Sequence, residues 1–297
     1  MTNVNLKSFE TIMHEAVDEL CKEGTNNIDS GYAELDELIS GFKPGELIII
    51  AARPGMGKTA FALNISKRAC LKYKILLFSL EMSAYSLGCR IISSITQIPL
   101  KKFINKSLDH QDWEHIKKFT NNVNKLNLYI DDSSYVNFDI IKDEISSLGD
   151  VNLIIIDYLQ LIDTPNGVNR VSEISKLTRN FKNLSRELDV PIILLSQLSR
   201  ACESRPDKRP TMSDLRDSGS IEQDADKVIL IYREGYYSEK ADPEDCEIIV
   251  AKNRSGDTGS VNLIWKGECA RFEGRISENL LDRPKVENKI VVNQIKF

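Results

Sequence analysis

The chain has 297 residues, enough for one large α/β domain or two small ones. Its hydrophobic share of 41% and charged share of 28% are ordinary for a globular protein, and no apolar run approaches the length of a membrane span. With a polar, acidic N-terminus, we expect no signal peptide and no membrane partner. The net charge of −5 means that any contact with nucleic acid has to come from a local basic patch.

The cysteines and histidines give no sign of a disulfide framework or of a zinc site. Six cysteines are scattered along the chain without a CxxC pair, which fits a reducing cytoplasm. His110 and His115 are five residues apart, a poor spacing for one face of a helix. We therefore expect a cytoplasmic protein without bound zinc.

Residues 5–22 have the apolar periodicity of an amphipathic helix, and Ser8 is its candidate N-cap. Such a helix can fold back on its own domain or dock on a neighbour, and the sequence favours neither. The segment 24–27 then predicts a break. We divide the chain into a linker helix at 1–27, a main domain at 28–275 and a tail with little pattern at 276–297.

The main domain alternates predicted strands with predicted helices. The strands are expected at 47–51, 74–80, 128–130, 151–156, 191–196, 227–232, 246–251 and 261–265. The helices are expected at 32–39, 60–69, 84–96, 109–126, 138–148 and 171–189. This alternation is typical of an α/β fold with a mostly parallel, doubly wound sheet, and we expect antiparallel strands toward the C-terminus.

The stretch LIIIAARPGMGKT, residues 47–59, predicts a buried strand, a tight turn and the start of a helix. Glycines in the turn let the backbone bend sharply and bring its N–H groups close to an anion. Lys58 is placed to reach terminal phosphates, and the Thr59 hydroxyl to ligate magnesium. The stretch therefore predicts binding of nucleotide phosphates by Pro54, Gly55, Met56, Gly57, Lys58, Thr59 and Ala60.

Three polar residues stand at the C-terminal ends of predicted strands, where open α/β sheets bind ligands. Asp157, beside a phosphate loop, is expected to hold magnesium rather than to cap a turn. Glu81 can polarise a water for attack on the terminal phosphate, or it can be an acid at a helix N-terminus. Gln197 can sense that phosphate, or it can be a turn residue. The spacing does not decide between the two roles of Glu81 or between the two roles of Gln197.

Three further polar segments complete the candidate site. Residues 200–209 carry more cations than carboxylates; they form either a solvated loop or a surface that couples nucleotide state to a polyanion. Residues 214–220 offer small side chains suited to backbone contacts with phosphates. Lys252 and Arg254 leave a predicted strand on the same side, either to neutralise a phosphate, including one bound by the next subunit, or to guard a sheet edge.

An ordered series of segments from about residue 30 to 274 resembles the C-terminal motor domain of the DnaB replicative DNA helicases. The segments are SGYAELDELISGFKPGELIIIAARPGMGKTAFALN, LFSLEMS, LIIIDYLQLI, LLSQLSRACESRPDKRPTMSDLRDSGSIEQDADKVILIYR and AKNRSGDTG. The resemblance implies a RecA-like P-loop NTPase core with helices on both faces of the sheet. It also implies a hexameric ring that uses ATP and Mg²⁺ to move 5′-to-3′ on single-stranded DNA.

The resemblance assigns roles that the spacing left open. Glu81 matches the catalytic base, Asp157 the acid on the magnesium side and Gln197 the phosphate sensor. Arg254 resembles a finger inserted into the neighbour's site, with Lys252 beside it. The loop's Ala52 stands where the common pattern has glycine and is an accepted substitute. Arg90 is implied as a further nucleotide contact, and the candidate DNA contacts are Arg200, Arg205, Arg216, Asp217 and Gly219.

The chain departs from the family pattern in two places, and the first affects the expected partners. Family members carry a helical N-terminal collar that meets primase, whereas only residues 1–27 precede the core here. We expect either a fragment or a natural short form from a phage or mobile element, with a helicase loader and primase as candidate partners. In addition, residues 255–257 read Ser-Gly-Asp instead of Asn-Gly-Pro.

Two other functions compete with the helicase. One is a RecA-like recombination or clock-type regulatory ATPase that uses the same core. The other is a ring subunit or loader-binding protein that does not unwind DNA, which the missing collar suggests. The order of residues 200–220 favours the helicase over the recombinase.

Overall fold

The computed structural model describes residues 6–21, 26–120, 126–163, 170–215 and 218–275. Its strands are β1 Leu47–Ala52, β2 Ile75–Ser79, β3 Leu128–Asp131, β4 Leu153–Asp157, β5 Ile192–Gln197, β6 Lys227–Tyr232, β7 Asp245–Asn253, β8 Gly259–Lys266 and β9 Arg271–Gly274. Its helices are α1 Phe9–Cys21, α2 Ala33–Ile39, α3 Lys58–Ala69, α4 Ala84–Thr96, α5 Leu100–Ile104, α6 His110–Thr120, α7 Phe138–Leu148, α8 Arg170–Leu188 and α9 Ser218–Asp224.

The described strands form a single sheet in the order β3-β2-β4-β5-β1-β6-β7-β8-β9. The six strands from β3 to β6 in this order are parallel, whereas β7, β8 and β9 join antiparallel. The predicted fold class, with antiparallel strands toward the C-terminus, is therefore confirmed. The short strand β9 was not predicted, since only Phe272 of its four residues is buried.

Strand register brings the polar strand ends to one edge of the sheet. Ala52, the last residue of β1, lies opposite Gln197 of β5. In the same way Ser79 of β2 lies opposite Asp157 of β4. Because parallel strands end at the same edge, the segments that follow β1, β2, β4 and β5 meet there.

Two hydrophobic cores lie on opposite faces of the sheet. Ile48 and Ile50 of β1 point into the first core, where Phe61 of α3 also packs. Their neighbours along β1 point into the second core, with Phe181 of α8. Since successive side chains of a strand alternate between faces, a fully apolar strand such as β1 needs helices on both sides. The predicted helices on both faces are confirmed.

The amphipathic helix α1 is capped as the sequence predicts, because the Thr11 N–H donates to the Ser8 hydroxyl at 3.1 Å. Its apolar side chains nevertheless stay in solvent: Phe9 is 76% and Leu20 84% exposed. In this structure the apolar stripe of α1 therefore does not fold back on the main domain. None of the described helices is long and apolar enough to cross a membrane.

The helix expected at 109–126 is shorter in the structure. It is α6, which ends at Thr120; residues 121–125 lie outside the described ranges, and Leu126 is not helical. Trp113 was expected on the apolar stripe, but it is 50% exposed. The covered face of α6 is turned to α4: Ile116 packs in a small cluster with Ile98 and Phe103, to which Ile92 of α4 adds. Trp113 lies outside this cluster.

Candidate functional site: a phosphate-loop cleft

The turn between β1 and α3 requires glycine at two positions. Gly55 and Gly57 have φ values of 79° and 101°, in the left-handed region that favours glycine. There is also no room for a side chain: a Cβ on Gly57 would lie 2.9 Å from a ring carbon of Phe272, and one on Gly55 would lie 3.0 Å from Tyr236. Conformation and space together hold the loop backbone exposed and close to the cleft.

This geometry gives a direct stability prediction. We expect Gly57→Ala to lower the free energy of unfolding by about 1–3 kcal/mol, the usual cost of a non-glycine residue held at positive φ. Chemical denaturation measures the loss. Gly88→Ala in α4 is the matched control, because a Cβ there meets nothing within 4 Å, and alanine is a better helix former. Equal stability for the two variants would contradict the packing argument.

Lys58, Thr59 and Asp157 form a tight group at the start of α3. The Thr59 hydroxyl donates to Asp157 Oδ2 at 2.6 Å, and Lys58 Nζ lies 3.3 Å from Asp157 Oδ1. Burial lowers the pKa of the Lys58 ammonium, opposed by the charges of Asp157 and Glu81. The ammonium also lies 4.1 Å from the centre of the Tyr158 ring. The lysine is therefore fixed in place next to the loop.

The same group suits a magnesium ion. Asp157 is 1% exposed, and among the described residues its Oδ1 accepts no hydrogen bond, although Lys58 is near. A buried carboxylate oxygen without a hydrogen bond is costly unless a cation takes that place. The Thr59 hydroxyl beside it adds the kind of oxygen ligand that Mg²⁺ prefers. The residues present therefore fit the ion that the sequence predicts.

A cleft of about 450 Å³ opens above this group. Glu81, exposed after β2, and Gln197, at the end of β5, both line it, as does Arg90 of α4. The structure thus brings together most of the predicted nucleotide-site residues. The lining residues are Ala52, Arg53, Pro54, Gly55, Gly57, Lys58, Thr59, Ala60, Glu81, Met82, Arg90, Tyr158, Gln197 and Trp265.

Met56 is the loop residue that the structure places elsewhere. Its side chain is buried in the first core, and its N–H donates to the carbonyl oxygen of Arg53 at 3.2 Å. Met56 therefore stabilises the turn by packing and by a hydrogen bond within the loop. A phosphate contact by Met56 stays a prediction.

Aromatic side chains from the antiparallel part of the sheet support the loop, and the sequence analysis missed them. Phe272 of β9 and Trp265 of β8 contact each other with ring centres 4.5 Å apart, directly beneath Gly57. Tyr236 covers Gly55, whose carbonyl oxygen accepts a hydrogen bond from Arg233 at 3.3 Å. No local sequence signal links these residues to a loop about 180–215 positions earlier in the chain.

Arg53 joins the phosphate loop to the basic stretch at 200–209. Its Nε donates to Glu203 at 2.8 Å, and its Nη1 donates to the Leu198 carbonyl oxygen at 2.8 Å. A physical connection therefore exists between the loop and the segment for which coupling of nucleotide to a polyanion was one of two predicted roles. The connection runs through Arg53, which the sequence analysis did not single out.

The predicted DNA contacts differ in what surrounds them. Arg200 is exposed, whereas Arg205 makes a bidentate ion pair with the buried Asp214, at 2.8 and 2.5 Å. Arg205 thus has a structural role that fixes the basic stretch. Gly219 lies in the first turn of α9, and Arg216 and Asp217 lie outside the described residues. DNA contact by any of them stays a prediction.

Lys252 and Arg254 lie at the opposite end of the sheet from the cleft. Arg254 Nη1 is 3.3 Å from Asp226 Oδ1, and Asp226 Oδ2 accepts the N–H of Leu47, the first residue of β1, at 2.7 Å. The phosphate loop follows the other end of β1, and six residues of strand span about 20 Å. The structure therefore does not bring these two cations into the cleft of their own chain.

Comparisons with known proteins cover almost the whole main domain. The family model of the DnaB-like helicase C terminal domain matches residues 27–274. The replicative DNA helicase DnaB of Buchnera aphidicola subsp. Baizongia pistaciae is 43% identical over 260 residues, covering 84% of this chain and 56% of that protein. The Geobacillus stearothermophilus DnaB is 42% identical over 253 residues, covering 82% of this chain and 56% of that protein.

Two solved structures of related proteins superpose on this chain. A structure described as an ATPase domain superposes with a TM-score of 0.85 at 34% identity, covering 91% of this chain and 99% of that one. A DnaB-like replicative helicase, described with its interactions with primase, gives a TM-score of 0.82 at 33% identity over 91% of this chain and 67% of that one. The chain spans a little over half the length of the DnaB proteins named above. The resemblance seen in the sequence is confirmed: the chain belongs to the DnaB-like helicase C-terminal domain family.

Proposed function

We propose that the protein is an ATP-dependent DNA helicase motor that translocates on single-stranded DNA and unwinds duplex DNA during replication. The observation that carries the proposal is the cleft lined by Lys58, Thr59, Glu81 and Gln197, with Asp157 bound to Thr59 and Lys58 beneath it. Family membership supports it, and the 5′-to-3′ direction is the one expected of the family. Neither the recombinase nor the non-unwinding subunit gains a supporting observation.

In this proposal the cleft holds ATP by its phosphates. The loop backbone and the helix N-terminus at Lys58 face the phosphates with N–H groups, and the Lys58 ammonium reaches the terminal ones. Thr59 and Asp157 hold Mg²⁺, which neutralises phosphate charge when bound. Because Asp157 is buried against Thr59, its carboxylate keeps one orientation before substrate arrives.

Glu81 takes the proton from the attacking water. It is exposed at the mouth of the cleft, after β2, where a water can approach the terminal phosphate from outside. Gln197 lies on the same edge, next in the chain to the Leu198 carbonyl oxygen that binds Arg53. When the terminal phosphate is lost, Gln197 changes its position. This movement reaches residues 200–209 through Leu198 and Arg53, and from there it reaches the DNA.

Arg254 and Lys252 act on the ATP of a neighbouring copy. Each chain offers a phosphate loop at one end of β1 and these cations at the other, so a ring of identical subunits completes every site from two chains. A hexamer is the ring size expected of the family. The Arg216, Asp217 and Gly219 segment is assigned to the DNA backbone in the channel, and a helicase loader and primase remain candidate partners.

The decisive experiment measures ATP hydrolysis with and without single-stranded DNA, together with strand displacement on forked duplexes. We expect DNA-stimulated hydrolysis, and displacement only when the fork offers a 5′ single-stranded tail. Lys58→Ala protein purified in parallel controls for contaminating ATPase. A monomer without ATPase activity in the presence of nucleotide and DNA favours the non-unwinding subunit, and strand exchange without displacement favours the recombinase.

A further inference from the structure

The end of α9 and the turn that connects it to β6 bind the side chains of both Lys252 and Arg254. Lys252 Nζ donates to the carbonyl oxygen of Ala225 at 2.8 Å and to that of Glu222. Arg254 Nη2 donates to the carbonyl oxygen of Gln223. We call residues 222–226 the finger cradle. Its carbonyl oxygens end a helix, whose C-terminus carries partial negative charge, so the cradle attracts cations.

Asp226 is the charged member of the finger cradle and is only 8% exposed. Its Oδ2 accepts the Leu47 N–H and the Lys182 ammonium, each at 2.7 Å, and its Oδ1 lies 3.3 Å from Arg254 Nη1. Its backbone also takes part, because the Arg254 N–H donates to the Asp226 carbonyl oxygen at 2.9 Å. One buried carboxylate thus joins Arg254 to the first residue of β1.

The surroundings make this carboxylate necessary for the direction of Arg254. The guanidinium is 48% exposed and stands in a groove of about 310 Å³. That groove is rich in positive charge from α8, with Arg179, Lys182 and Arg186 among its lining residues. Asp224 also lines this groove, but it is paired with Arg179 at 3.6 Å. Without the Asp226 charge, Arg254 would keep only carbonyl oxygens as its hydrogen-bond acceptors while facing the cations of α8, and repulsion would turn it toward solvent.

We infer that Asp226 is the positioning residue of Arg254: it orients the guanidinium toward the next subunit without touching nucleotide itself. The inference rests on the proposed action of Arg254 in the neighbour's cleft. In a site shared by two chains, Asp226 belongs to the half that supplies Arg254. It does so although its hydrogen bond from Leu47 joins it to β1, the strand that leads to the phosphate loop of the same chain. A purely structural role would instead affect folding and nucleotide binding within its own chain.

The first test is the kinetics of Asp226→Asn, which removes the charge but keeps an acceptor for Leu47. We expect kcat for ATP hydrolysis to fall by about 10²-fold with KM unchanged, as when a transition-state group is misplaced by about 1 Å. The matched control is Asp112→Asn. Asp112 is also 8% exposed, accepts a backbone N–H and pairs with a lysine at 2.7 Å, but it lies in α6. We expect the control to keep the wild-type kcat.

The second test asks whether Asp226 and Arg254 belong to the same half-site. Asp226→Asn subunits keep an intact phosphate loop, so mixing them with Lys58→Ala subunits, which keep an intact Arg254, should restore activity. Mixing Asp226→Asn with Arg254→Ala should restore none, since both lack a working finger. Wild-type kcat in Asp226→Asn, or rescue of Asp226→Asn by Arg254→Ala, overturns the inference.

The reference mixture separates this inference from the proposed function. If Arg254→Ala and Lys58→Ala fail to rescue each other, the shared site itself is refuted. If they do rescue each other while Asp226→Asn with Lys58→Ala stays inactive, only the role of Asp226 is refuted. Should Asp226→Asn fail to fold, Asp226→Glu keeps the charge one methylene further out. We expect it to lower kcat by up to about 10²-fold, because the longer side chain displaces the guanidinium by about 1 Å, and an unchanged kcat refutes the role.

Discussion

Arg254→Ala is expected to lower kcat for ATP hydrolysis by about 10³- to 10⁵-fold, the range found when an arginine supplied to a phosphoryl-transfer site is removed. Nucleotide affinity should stay near the wild-type value, because Arg254 lies at the far end of β1 from its own phosphate loop. Steady-state ATPase assays and equilibrium nucleotide binding on the same protein measure the two quantities. A tenfold loss of affinity with normal kcat would show that Arg254 acts within its own chain or on folding.

Mixing two inactive variants tests whether Arg254 acts on the cleft of a neighbouring chain. Lys58→Ala subunits lack the ammonium that binds phosphate, and Arg254→Ala subunits lack the finger, so each is inactive alone. In mixed assemblies an intact cleft meets an intact Arg254 at a fraction of interfaces. ATPase activity should therefore rise and then fall as the ratio of the two variants is varied. Activity that never exceeds the two separate baselines, in assemblies shown to be mixed, rules out a site shared between chains.

Glu81→Gln is expected to lower kcat by about 10²- to 10⁴-fold, the usual contribution of a general base. The amide has nearly the same size but cannot take a proton at neutral pH. Because Glu81 is exposed at the mouth of the cleft and makes no hydrogen bond to Thr59 or Asp157, nucleotide binding should persist.

The control for this variant is Glu114→Gln, which removes an exposed carboxylate paired with Lys117 on α6 and should leave kcat unchanged. Single-turnover hydrolysis and nucleotide binding are measured side by side. Hydrolysis by Glu81→Gln within a few-fold of the wild type is incompatible with the base role. Loss of nucleotide binding points instead to a binding role for the carboxylate.

Local chemistry explains why the cleft could be predicted. The apolar run of β1, the glycines after it and the helix start at Lys58 are neighbours in sequence, and the phosphate loop needs little else. Asp157 and Gln197 were found because the ends of parallel strands meet at one edge, whatever lies between the strands. The register of β1 with β5 and of β2 with β4 confirms that geometry.

Long-range contacts explain what was missed. Phe272 and Trp265 reach the loop only because β8 and β9 add to the sheet antiparallel. The strand at 261–265 was predicted, but its place beside the loop was not, and β9 was not predicted at all. The position of Arg254 depends on the register that sets Asn253 opposite Lys227, and this register contains an irregularity between Val228 and Ile229 that simple alternation along a strand does not predict. Trp113 was misplaced because helical spacing predicts a face but not which of its residues the neighbouring elements cover.

The two ends of β1 also set how many sites an assembly can complete. In the proposed ring the copies join in series, because the cleft and Arg254 lie about 20 Å apart along the strand and each copy gives its Arg254 to the next. An open series then has one complete site fewer than it has subunits, with an unserved cleft at one end and an unused Arg254 at the other. Opening the series at one interface, as when a strand of DNA is admitted, therefore silences a single site and leaves the others intact.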